Sequence, residues 1–293
     1  MKTILYSAQH AHPQGSDLWN ARRCILSVES VTKYYGSEKN VTKALDGISF
    51  DVEAQEFVGV MGASGSGKTT LLRCMSTLDT VTAGYIWFDS SAAGDCTRHL
   101  QENEIPHRNI THLSEKEVAR FRSENLGFVF QDYNLLDSLT LRENIELALT
   151  IRGKEERQIA AVTEATAAKL HINDILDKFP SEVSGGQKQR CACARAIVNK
   201  PSLLLADEPT GALDSKSSAD LMETLHQLNE TEKITILMVT HDAFAASHCS
   251  RILFLQDGRI YNELRRGNRT RKAFFQDILD VMSLLGGDVA HVR

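Results

Sequence analysis

The run Gly62-Ala63-Ser64-Gly65-Ser66-Gly67-Lys68-Thr69 holds the strongest chemical signal in this chain. A glycine, four residues and then Gly-Lys-Thr is the spacing of a phosphate-binding loop. Its glycines let the backbone curl so that N–H groups face phosphate oxygens. A helix starting at its end adds partial positive charge. Lys68 can then reach the β- and γ-phosphates, and the Thr69 hydroxyl can ligate Mg²⁺. A flexible Gly/Ser turn would have the same composition. The context favours the phosphate site: the apolar run Phe57 to Met61 precedes the motif and a helical run from Thr70 to Leu78 follows it.

A second signal is Leu203-Leu204-Leu205-Ala206-Asp207-Glu208, an apolar strand ending in two acids. In a parallel sheet those acids stand at the carboxyl edge, where the phosphate loop also lies. Asp207 suits the Mg²⁺ shell, and Glu208 suits a general base for an attacking water. A third signal is Val183-Ser184-Gly185-Gly186-Gln187, just before a helix. Taken alone it is a helix cap; it can equally serve as a second anion site, with backbone and hydroxyl donors.

The elements around these residues follow from periodicity. Ile25–Val31 and Ile48–Val52 alternate as strands, the first like an edge or half-buried strand, with an Asp46-Gly47 turn before the second. Residues 91–112 are polar and contain Pro106, which predicts a surface loop. Ser114 and Glu117 form a capping box for a helix to about Arg122, and Leu126–Phe130 is a strand. Residues 141–177 have helical spacing and end before Pro180, which predicts an inserted helical subdomain. A helix (186–199), strand (203–206), helix (216–229), strand (234–239), short helix and strand (252–255) follow. Asp257-Gly258 turns the chain into Arg259–Tyr261. Such alternation implies an α/β fold with a parallel sheet covered on both faces.

Together the three motifs resemble the signature of ATP-binding-cassette (ABC) ATPases. Gln131 after the Leu126–Phe130 strand resembles that family's Q-loop, Ala212-Leu213-Asp214 its D-loop, and His241 its switch histidine. Tyr35 stands where the family has an adenine-stacking aromatic, with Tyr34 a one-residue ambiguity. The resemblance spans residues 25–262. It implies a P-loop NTPase (RecA-like) core with an antiparallel β subdomain and an inserted helical subdomain.

It also implies ATP and Mg²⁺ as cofactors and a division of roles. Glu208, His241 and Gln131 are catalytic, and Thr69, Gln131 and Asp207 hold the metal. Tyr35, Gly62, Ala63, Ser64, Gly65, Ser66, Gly67, Lys68, Thr69, Thr70, Ser184, Gly185, Gly186, Gln187 and Asp214 contact nucleotide. Family members work as head-to-tail dimers, so Ser184 and Gly186 should meet the γ-phosphate held by a partner's Lys68. The expected partners are a second copy and a separate transmembrane permease, received near Gln131–Leu136. There the Leu135-Leu136 pair reads equally as partner contact or core.

The branch resembled includes lipoprotein-release and macrolide-export cassettes. Phe130–Asp137 and Phe274–Val281 look most like bacitracin-export types serving antimicrobial-peptide resistance or sensing. The expected place is the cytoplasmic face of the cell membrane. Soluble ABC ATPases of translation or repair would share the motifs, but neither a second cassette nor a heptad run is present. A small-molecule kinase would not need Ser184-Gly185-Gly186.

Composition sets the outer limits. With 293 residues, a net charge of −5 and 42% apolar residues, the chain lacks the basic field expected of a nucleic-acid binder. No apolar run reaches the roughly 18 residues of a membrane span, and the start lacks a signal-peptide core. The six scattered cysteines read as reduced thiols. Cys96, His99, His107 and His112 are spaced too irregularly to argue for a metal.

The expected organisation is an extension (1–24), a first core part (25–131), the helical subdomain (132–183), a second core part (184–262) and a C-terminal segment (263–293). That last segment combines the basic run Arg265–Lys272, read as a linker, with an amphipathic helix. Its stripe Phe274, Ile278, Val281 and Leu285, stopped by Gly286-Gly287, should pack on the core or on a twin subunit.

Overall fold

The computed structural model describes residues 24–37, 40–89 and 107–285. The chain begins with β1 (Cys24–Ser37), β2 (Asn40–Glu53), β3 (Phe57–Met61), α1 (Lys68–Met75), β4 (Ala83–Asp89) and β5 (His107–Asn109). Next come α2 (Glu115–Asn125), β6 (Leu126–Val129), α3 (Leu141–Ile151), α4 (Glu156–Lys169), α5 (Gly185–Ile197) and β7 (Leu203–Asp207). The described part ends with α6 (Ser215–Glu232), β8 (Thr235–Val239), α7 (Ala243–Ala246), β9 (Arg251–Gln256), β10 (Arg259–Arg265) and α8 (Arg271–Leu284).

Two sheets result. One is antiparallel, in the order β2-β1-β4-β5; the other runs β10-β9-β3-β8-β7-β6 and is parallel except for the β9–β10 hairpin. Alternation along the second sheet assigns its two faces. Phe57, Met61, Leu204, Met238 and Phe254 join a core with α3, α5, α6 and α8. Val58, Val60, Leu205, Leu237 and Leu253 face α1 and the antiparallel sheet. The strands β3, β7, β8 and β9 are thus buried on both sides, which explains their unbroken apolar runs, while the edge strand β6 leaves Leu126 and Phe128 half-buried.

Register aligns the strand ends. Val60 pairs with Val239, Asp207 with Val239 and Val129 with Ala206. The segments beginning at Gly62, Phe130, Glu208 and Thr240 therefore leave the sheet at one edge.

Several local expectations change. β1 lies between β2 and β4 rather than at an edge and extends to Ser37. Its alternation fails at Ser30, where φ is +48° and the pairing to β2 shifts between Val28 and Val31. The expected 91–112 loop ends in a strand: β5 pairs with β4 through Trp87–Asn109 and Phe88–Arg108, and Ile110 enters the core. Three polar residues at a sheet edge show no period. Residues 90–106 lie outside the described residues, and with them Cys96 and His99.

The basic run is no plain linker. Arg265 ends β10, Arg269 pairs with Asp277 at 2.6 Å, and Arg271 meets the buried His248 ring nitrogen at 3.1 Å. Burial and the neighbouring Arg271 push the His248 pKa down to about 4.

α8 docks on its own subunit. Phe274 and Ile278 are fully buried, Val281 nearly so, and Leu285 packs beside them. Gly286-Gly287 lie outside the described residues; the described helix ends at a Leu285 cap. Burying a side chain of this size contributes about 1.5–3 kcal/mol. Phe274→Asp combined with Ile278→Asp is therefore expected to lower the melting temperature far more than a surface pair would. A native melting curve for that double variant would show α8 to be undocked.

Candidate nucleotide site

β3 delivers the chain to residues 62–67, and α1 carries it away. Gly65 and Gly67 have φ of +79° and +103°, conformations in which a Cβ is strained. A Cβ on Gly67 would also stand 2.3 Å from the Ala44 carbonyl oxygen. Gly67 is the N-cap of α1, so Lys68, Thr69 and Thr70 form its first turn. The buried Lys68 ammonium donates to the Gly62 and Ala63 carbonyls at 2.8 and 2.9 Å, folding its side chain back into the loop. Burial pulls its pKa down, while Glu208 and Asp207 oppose the shift. The Ser66 hydroxyl is buried and has no hydrogen-bond partner among the described residues.

The acids at the end of β7 stand beside this loop. Asp207 Oδ1 lies 3.4 Å from Thr69 Oγ1. Burial, and then the adjacent Glu208, push the Asp207 pKa up. Glu208 leaves the strand at φ +45° and donates its N–H to Val239 at 2.9 Å. Its Oε2 reaches His241 Nδ1 at 3.0 Å. The position of His241 is set by Asp242, which caps α7 by accepting from the Phe244 and Ala245 N–H groups. Gln131 approaches from β6: a Cβ on Gly211 would come within 3.2 Å of its amide nitrogen. Gln131, Asp207, Glu208 and His241 thus converge on the sheet edge that carries Lys68 and Thr69.

Ser184, Gly185, Gly186, Gln187 and Asp214 form a separate group. Ser184 caps α5 in a reciprocal box with Gln187, with bonds of 3.3 and 2.9 Å. Asp214 caps α6 by accepting from Lys216 and Ser217. The Ser217 N–H bond leads the contacts that hold the Asp214 carboxyl below its usual pKa. A Cβ on Gly186 would stand 2.9 Å from Ser217 Oγ, so α5 and α6 begin side by side. Among the described residues, no hydrogen bond or ion pair joins this group to residues 62–70.

The Tyr35 hydroxyl donates to Asp79 at 2.6 Å and Lys33 lies over its ring, while Lys43 lies over the ring of Tyr34. Of the two leucines after Gln131, Leu135 packs against the core and Leu136 is exposed.

Residues outside the expected set also shape the site. Asp242 carries a local signal, an acid just before a short Ala-rich helix. Gln189 carries none: it is a polar residue on a helix, buried against two loops distant in sequence.

Residues 45–211 match the family model described as ABC transporter. The chain is 47% identical to the bacitracin export ATP-binding protein BceA of Halalkalibacterium halodurans, over 90% of this chain and 97% of that protein. It is 47% identical to the ABC transporter ATP-binding protein YxdL of Bacillus subtilis, covering 92% and 98%. The macrolide export ATP-binding/permease protein MacB of Hyphomonas neptunium is 38% identical, and the match spans 36% of that longer protein. Among solved structures, the cassette MJ0796, a dimer in a post-hydrolysis state bound to ADP and Pi, superposes with a TM-score of 0.71 at 33% identity, covering 82% of this chain and 98% of that one. The chain thus belongs to the ABC transporter family, as one of its ATP-binding, ATP-hydrolysing subunits.

Proposed function

We propose that two copies of this subunit close around ATP at the cytoplasmic face of the membrane and drive a separate permease that handles antimicrobial peptides of the bacitracin kind. The observation that carries the catalytic part is the Glu208–His241 contact at 3.0 Å, one residue beyond Asp207 and beside the loop of Lys68.

In this reading residues 62–70 hold the phosphates. The Lys68 ammonium exchanges the Gly62 and Ala63 carbonyls for phosphate oxygens, and Tyr35 stacks on adenine. Glu208 takes a proton from the attacking water. With Nδ1–H donating to Glu208, the His241 ring holds that carboxylate in place. Gln131 orients the water.

Mg²⁺ fits the residues present. Thr69 and Asp207 offer oxygen ligands 3.4 Å apart, and burial, then the adjacent Glu208, raises the Asp207 pKa, a cost to the carboxylate that a dication would offset. Gln131 completes the protein's share of that set. Bound there, the ion would neutralise developing phosphate charge.

The separation of Ser184, Gly186 and Asp214 from the phosphate loop supports completion of each site by the partner subunit. Ser184 Oγ accepts from the Gln187 N–H, so its own proton can donate to the γ-phosphate across the dimer.

Among the described residues, no helix is long and apolar enough to cross a membrane. A separate permease accounts for the exposed Leu136, Leu147, Ile151 and Phe179 on the helical block. The near full-length match at 47% to a bacitracin exporter subunit, against 38% to a macrolide exporter, favours the peptide substrate. Loss of the gene is expected to sensitise cells to bacitracin and leave macrolide tolerance unchanged, and the subunit should co-purify with a membrane protein. Unchanged bacitracin tolerance would remove the substrate assignment.

A further inference from the structure

α5 begins at the Ser184 cap and carries Gln189 in its second turn. That side chain is fully buried. Its amide nitrogen donates to two backbone carbonyls from different loops: Phe130 at 3.3 Å and Pro209 at 2.8 Å. Phe130 immediately precedes Gln131, and Pro209 immediately follows Glu208. The amide oxygen is buried and has no hydrogen-bond partner among the described residues. An apolar side chain of the same length would fill this space but strip the Pro209 carbonyl of this donor, so the amide serves the two loops and not only the volume.

Other contacts show how firmly α5 holds the first of these loops. A Cβ on Gly127 would meet the Ala196 carbonyl at 2.4 Å, so β6 lies directly against the helix. The Arg195 guanidinium donates to the Tyr133 and Asn134 carbonyls, and both residues have positive φ. Gln189 adds a bond that reaches the Glu208 loop as well.

We propose that Gln189 is a positioning residue for ATP hydrolysis. One amide fixes the backbone before Gln131 and after Glu208, and it ties both to the helix that starts at Ser184. A displacement of α5, whatever drives it, then moves the water-orienting residue and the base together. The inference rests on the roles given above to Gln131 and Glu208.

Gln189→Met and Gln189→Glu in the full chain, assayed by phosphate release with Mg²⁺-ATP, test it. Gln189→Met keeps the volume and removes both bonds. Misplacement of catalytic groups by a fraction of an ångström costs about 10- to 100-fold, so kcat should fall by that much. KM for ATP should stay near native, because the loss appears in the transition state, and the melting temperature should fall by no more than the few degrees that one lost buried bond costs.

Gln189→Glu supplies a readout that a structural role would not move. The carboxylate has no donor and faces two carbonyl oxygens; protonated, it regains one O–H donor. Its activity relative to the native protein should therefore recover between about pH 8 and about pH 6, since burial among carbonyls favours the neutral acid. Gln189→Met should show no such recovery.

A native kcat in Gln189→Met overturns the proposal. So does a Gln189→Glu profile parallel to that of Gln189→Met, or failure of both variants to fold. Glu208→Gln, measured alongside, separates the two levels. If it is inactive while Gln189→Met is native, only this inference fails. If it hydrolyses ATP normally, the assignment of Glu208 fails first.

Discussion

Glu208→Gln is expected to bind Mg²⁺-ATP with near-native affinity and to hydrolyse it about 10²–10⁴-fold more slowly, the usual cost of losing a general base. The substitution is conservative in the sense that matters. Glu208 sits at φ +45°, held by its N–H bond to Val239, and glutamine keeps the same backbone and length. The amide oxygen can still accept from His241 Nδ1, so the ring stays in place while the proton acceptor is gone. Removing one of two crowded carboxylates also relieves Asp207, whose pKa should drop back toward its usual value. Nucleotide binding should therefore not suffer. Single-turnover phosphate release and equilibrium binding of a fluorescent ATP analogue separate the two effects. A native hydrolysis rate would remove Glu208 from the chemistry, and loss of binding would mean that its role is to hold ligand.

What could be read from sequence divides by the range of the interactions. The 62–69 loop and the boxes Ser114–Glu117 and Ser184–Gln187 are set by neighbours within a few residues, so spacing alone exposes them. β4 is local too, yet aromatic residues occupy both faces, Tyr85 and Trp87 on one and Ile86 and Phe88 on the other, which erases the alternation. The Glu208–His241 contact spans 33 residues and depends on the pairing of Asp207 with Val239, which no periodicity discloses. It was accessible only through resemblance to a family. The surroundings of Tyr34 and Tyr35 depend on how a bulged strand turns the two side chains, which only the folded backbone shows. Gln189 is the extreme case, because its two partners lie 59 and 20 residues away.

The second large effect is assembly. Glu208→Gln protein with Mg²⁺ and ATP is expected to double its mass in light scattering, and Glu208→Gln combined with Ser184→Arg is expected to remain monomeric. This subunit keeps two groups of site residues apart. Lys68, Thr69, Asp207 and Glu208 gather at one edge of the sheet, while Ser184 and Gly186 gather where α5 and α6 begin. A γ-phosphate bound at the first group carries charge that attracts the N–H groups and hydroxyl of the second, and in the proposed dimer a neighbouring copy brings them there. With hydrolysis blocked that charge persists, so the closed pair accumulates. Arginine at position 184 removes the hydroxyl and puts a bulky side chain where the phosphate must pass. Losing the cap costs only about 1 kcal/mol within the subunit, so folding and ATP binding at Lys68 should survive. Retained nucleotide affinity is the control that distinguishes a blocked interface from a damaged protein. If Glu208→Gln protein stays monomeric at every concentration with ATP, or if Ser184→Arg leaves the dimer intact, then the site is not completed by a second copy. Ser184 would then be a helix cap and nothing more.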